Sequence, residues 1–170
     1  MLARNETIIK WLLFAAAALA CFVVQGTILQ RITIWGVIPF VYPAVAAIPA
    51  TYEGPVPGTA FAVGVGVACD LLLPASSPCF YTLVFPLVGL CAALLGESVR
   101  RAGFLCSLLS TVAAFCITGL AHALVLWAGS KAAWGTAASV TGRELCLTLP
   151  LTVPMTGLFR AVYQRAHRND

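Results

Sequence analysis

Apolar residues run along this chain in long blocks, separated by short polar or proline-rich breaks. A helix crosses the bilayer core with about 20 apolar residues, within a range of about 17 to 25. Six blocks meet that length and predict transmembrane helices over about 8–29, 34–52, 55–73, 80–95, 102–128 and 145–163. Gln30 and Arg31 close the first. Pro39, Pro43 and Pro49 make the second the least regular, which a membrane helix tolerates where neighbours satisfy the freed carbonyls. Pro55 and Pro57 suit the first turn of the third helix, and Pro74 stops it before a tight ASSP turn. Glu97, Arg100 and Arg101 mark a charged loop. GSKAAWGTAASVTGRE (129–144) is the longest predicted loop, lying at the interface. Pro150 and Pro154 interrupt the sixth helix before a basic tail.

The pattern is that of an all-α polytopic membrane protein, one transmembrane domain over 1–170. Composition sharpens this, because 61% of residues are hydrophobic and only 9% charged, with a mean hydropathy of +0.95. A soluble domain carries about 25% charged residues. The net charge of +4 comes from short basic clusters at segment ends, which suits membrane topology and not nucleic-acid binding. With six helices and the N-terminus inside, Arg4, Lys10, Arg100, Arg101, Arg160, Arg165 and Arg168 lie on the cytoplasmic side. Arg31, Lys131 and Arg143 lie outside, so the excess of basic residues predicts both termini inside. Trp11, Trp35, Trp127 and Tyr163 stand near helix ends, where aromatic belts form.

Chemistry-bearing motifs are scarce. Six of the seven cysteines fall in apolar runs, Cys79 alone lies near a loop, and no C-x-x-C occurs, so they read as small hydrophobes. WLLFAAAALAC resembles a signal or lipoprotein processing site, but FVVQGTIL carries the apolar run past Cys21, which favours an uncleaved first helix. GVGVACD holds neither G-x-G-x-x-G nor a Walker lysine, and no cofactor or metal is expected.

The informative stretch is GPVPGTAFAVGVGVACDLLLP, residues 54–74. Gly54, Gly58, Ala62, Gly66 and Asp70 recur every fourth residue and stack on one helical face, with Gly64 off it. From Gly58 to Asp70 the stripe is about 18 Å long. Such stripes let a neighbouring helix approach closely enough for backbone contact. Asp70, near the outer end, reads first as a polar anchor fixing helix depth; recognition of a ligand, ion or partner is the alternative. His122 lacks an acid in its own segment and reads as structural. Ser107, Ser110, Thr111 and Thr118 are candidates for hydrogen bonds between helices. RAVYQRAHR suits the anionic inner leaflet or a cytoplasmic partner.

The order WGVIP, GPVPGTAFAVGVGVACDLLLPASS and FPLVGLCAALLGE resembles the bacterial rod shape-determining protein MreD family over about residues 30–97. The matching positions are Gly36 and Pro39, Gly58 and Gly66, Asp70 with Leu71 and Leu72, and Leu87, Val88 and Gly89. The family often places an acid directly after the proline of its second helix; here that residue is Phe40. The resemblance implies a fold similar to the substrate-binding component of energy-coupling factor transporters. It implies a non-enzymatic subunit of the cell-elongation machinery in the bacterial cytoplasmic membrane. The implied partners are MreC and, through it, MreB, the glycosyltransferase RodA and a class B penicillin-binding protein. The expected helix-packing or partner interface is Gly58, Ala62, Gly66, Asp70 and Gly89.

The alternative is a substrate-capture subunit of a vitamin transporter, with the small residues of AAAALA docking a transmembrane partner. Trp35, Tyr42, Asp70, Ser76, Ser77 and Tyr81 would then contribute to an outward pocket. A membrane enzyme finds no convergent acid, base and nucleophile.

Overall fold

The computed structural model describes the backbone of residues 2–73, 79–98, 103–129 and 134–166, and the side chains of 7–73, 79–98, 103–129 and 135–165. Pro74, the ASSP turn with Ser76 and Ser77, Arg100, Arg101, Lys131 and Arg168 lie outside the described residues, as does the side chain of Arg4. Six helices follow in order: α1 (Leu2–Thr27), α2 (Tyr42–Glu53), α3 (Pro55–Leu72), α4 (Phe80–Ser98), α5 (Phe104–Ala128) and α6 (Trp134–Ala166). A short 3-10 turn, Leu29–Arg31, follows α1. All except α2 contain a stretch long and apolar enough to cross a membrane.

The predicted second helix, 34–52, is helical only from Tyr42. Residues 34–41 are irregular, and the proline pattern supplies the reason. Pro39 disfavours helical backbone at Ile38, while Pro43 suits the first turn of α2. Ile34 and Val37 exchange two backbone hydrogen bonds of 3.1 Å across a two-residue turn. Trp35 and Gly36 fill that turn with φ of 55° and 75°, the left-handed pair such a hairpin requires. With 12 residues, α2 spans about 18 Å, short of the roughly 30 Å hydrocarbon core. Its residues Tyr42–Ala50 are all buried. It packs against every other helix, whereas α1–α6, α6–α5, α5–α4 and α4–α3 pair successively around it.

The sixth helix also departs from expectation. It starts at Trp134, so most of the predicted loop 129–144 is helix. Glycine costs only about 1 kcal/mol in a helix, and packing offsets it here: Thr141 sits against Gly119 of α5, where any side chain on the glycine would collide. Helix α6 continues through Pro150 and Pro154. The third helix, by contrast, has nearly its predicted bounds.

At one end of the bundle Lys10 of α1 pairs with Glu53 at the close of α2, 2.5 Å apart. The rings of Tyr52 and Tyr163 meet there too, with centroids 5.4 Å apart, bringing the end of α6 to the same place. The segment 34–41, the end of α3 and the start of α4 gather at the opposite end.

Candidate functional site

Two features stand out, and they share the first turn of α4. The first is the small-residue seam. A Cβ built on Gly58 would lie 2.7 Å from the Ala50 Cα of α2, and one on Gly66 would lie 2.7 Å from the Tyr81 carbonyl of α4. From the α4 side, a Cβ on Gly89 would lie 2.7 Å from the Ala62 Cβ and 3.3 Å from the Gly58 carbonyl. Gly96 presses on Thr51 of α2 in the same way. Backbones therefore approach to distances only glycine permits, and Ala62 is fully buried between them. Gly64, off the ladder, has nothing within 4 Å.

Asp70 ends this seam as an anchor. Its Oδ1 accepts the Tyr81 N–H at 3.0 Å, and its Oδ2 accepts the Thr82 N–H at 2.8 Å and the Thr82 hydroxyl at 2.6 Å. A helix leaves its first N–H groups without partners, and its positive end favours a carboxylate. Asp70 satisfies α4 from the neighbouring helix. All five residues expected at the interface, Gly58, Ala62, Gly66, Asp70 and Gly89, thus meet at contacts within this chain.

The second feature is a vestibule at the start of α2. Irregular backbone at membrane depth must find hydrogen bonds within the protein. Gln25, buried in α1, donates through Nε2 to the Pro39 carbonyl at 2.7 Å and accepts the Val41 N–H at 3.2 Å. Thr148 of α6 accepts the Phe40 N–H at 3.2 Å, and Arg143 donates to the Trp35 carbonyl at 3.3 Å. Aromatic rings surround the segment so held. Phe40 meets Tyr42 edge-on at 5.2 Å and Tyr81 at 6.1 Å, and His122 stacks on Phe80 at 4.3 Å. Two cavities of about 240 and 480 Å³ flank Phe40 and share Phe40, Val140 and Glu144 in their walls.

Sequence reasoning missed Glu144 and Gln25. Glu144 falls in the predicted loop, and His122 has no acid in its own segment; α6 brings Glu144 to the cavity that His122 lines. The signal for Gln25 was present, a lone amide inside an apolar run. Of the pocket residues expected under the transporter alternative, Tyr42 and Tyr81 reach the vestibule, Asp70 is taken up by α4, and Trp35 is exposed. Thr111 and Thr118 bond back to carbonyls of their own helix, Ser107 and Ala114, instead of bridging helices. All seven cysteines are free; Cys116 and Cys146 are exposed on helices, and Cys79 is exposed just before α4. No group of three potential metal ligands occurs among the described residues. No family model, curated protein or solved structure matches this chain.

Proposed function

We propose that this chain is a non-enzymatic, multi-pass subunit of the bacterial cell-elongation complex, of the MreD kind. In this reading it sits in the cytoplasmic membrane with both termini inside. It links MreC, and through it MreB, to RodA and a class B penicillin-binding protein. The observation that carries the reading is structural economy in the resembling stretch: Gly58 brings α3 against α2, and Gly66, Asp70 and Gly89 lock α3 onto α4. A rigid scaffold needs such a lock. The acid that the family places after the second-helix proline is absent at Phe40, yet Glu144 lines the same cavities from α6.

Affinity purification of the tagged chain from native membranes in mild detergent tests this. Recovery of MreC, RodA or a penicillin-binding protein supports it. A coupling subunit arriving with two ATPases would replace it with the second reading, a substrate-capture subunit, which the vestibule favours. Topology has its own check. Labelling of Cys79 in whole cells by a membrane-impermeant maleimide, lost in Cys79→Ser, is expected if the vestibule end faces outward. Labelling only after lysis would reverse the orientation.

A further inference from the structure

We infer that the vestibule around Phe40 binds a small organic cation, an ammonium group held by the Glu144 carboxylate against the rings of Phe40 and Tyr81. The inference rests on neither reading of function above. It starts from what Glu144 lacks. Asp70, the other acid at this end, receives three hydrogen bonds. The Glu144 carboxylate receives none from the described residues, although it lines two cavities that meet at Phe40. Its neighbour Arg143 is turned to the Trp35 carbonyl. The N–H groups of Phe40 and Val41 are met by Thr148 and Gln25, so the entrance of α2 makes no use of the acid either. A half-buried carboxylate within a membrane bundle that receives no hydrogen bond is costly and calls for a partner.

The walls select that partner. Phe40, Tyr42 and Tyr81 present aromatic surface, and His122 adds a ring stacked on Phe80. Aromatic faces attract cations within about 6 Å of the ring centre, most strongly where water is excluded. An anion would be repelled by Glu144, and an uncharged apolar ligand would leave the carboxylate unpaired. A divalent metal would need several oxygen ligands where one carboxylate stands. The smaller cavity, about 240 Å³, falls below the roughly 300–1,000 Å³ of drug-sized pockets and suits a headgroup-sized ion. A free amine and the ammonium headgroup of a zwitterionic lipid carry the same chemistry.

The test uses the full chain in nanodiscs of phosphatidylglycerol, titrated by calorimetry with choline and with its uncharged tert-butyl isostere. Choline is expected to bind at least about ten-fold tighter than the isostere, and Glu144→Gln to abolish that preference without changing the melting temperature. Phe40→Leu should weaken choline about three-fold or more, and it reads the aromatic wall should Glu144→Gln not fold. Repeating the titration in phosphatidylcholine nanodiscs separates the sources. Loss of choline binding there assigns the site to a lipid headgroup, and its persistence assigns it to a free amine. Equal binding of choline and isostere, an unchanged preference in a folded Glu144→Gln, or no binding of choline in either lipid would overturn the proposal.

Discussion

The seam and the vestibule are built from opposite materials, though Tyr81 belongs to both. In the seam, side chains are small, backbones touch, and Asp70 is saturated by α4. In the vestibule, side chains are large, the backbone is irregular, and Glu144 is left over. The main-chain N–H of Tyr81 is fixed by Asp70, while its ring lies 6.1 Å from Phe40 and 5.9 Å from His122. The tight region thereby aims a residue of the open one.

Substitutions can break this division, the largest effect first. Gly66→Leu should cost about 3 kcal/mol or more, because the new side chain meets the backbone of Tyr81 and Thr82, which cannot turn aside. A collapsed thermal transition in detergent is the expected readout, and a melting temperature equal to wild type would mean the helices are not so close. Asp70→Ala should cost about 2–3 kcal/mol by stranding the first N–H groups of α4. Asp70→Asn should recover part of that loss, since its amide oxygen still accepts. Comparing both variants by unfolding separates hydrogen bonding from charge. Gln25→Leu should cost about 1–3 kcal/mol, as it frees the Pro39 carbonyl and the Val41 N–H. Faster hydrogen exchange at Val41 alone, with the seam amides of Tyr81 and Thr82 unchanged, would show that the two regions respond separately. Gly64→Leu, two residues from Gly66 and on the opposite face of α3, should stay within about 0.5 kcal/mol, because open space surrounds it. A large loss there would erase the contrast between the two faces of α3.

The seam was legible because its signal is local. Four-residue spacing within one helix names a face, and Pro55 and Pro57 fix where that helix begins. The contact surface was readable without knowing its partner. The bounds of α2 and α6 were less so. Proline at three places in 34–52 signalled irregularity but not which prolines start a helix and which prevent one. Around Gly135 and Gly142, weak helix propensity was outweighed by the fit of Thr141 against Gly119.

The sequence by itself determined the helical segments of membrane-spanning length and the small-residue face of α3 that ends at Asp70, since hydropathy and short-range spacing act within one segment. Only the tertiary structure decided that α2 is a short helix, buried from Tyr42 to Ala50. It alone named Tyr81 and Thr82 as the partners of Asp70, and brought Gln25, Phe40, Tyr81, His122 and Glu144 to one vestibule. Those five come from five stretches of the chain, and their proximity depends on how each helix is rotated about its axis. That rotation is set by the summed packing of all the helices together, which no spacing along the chain records.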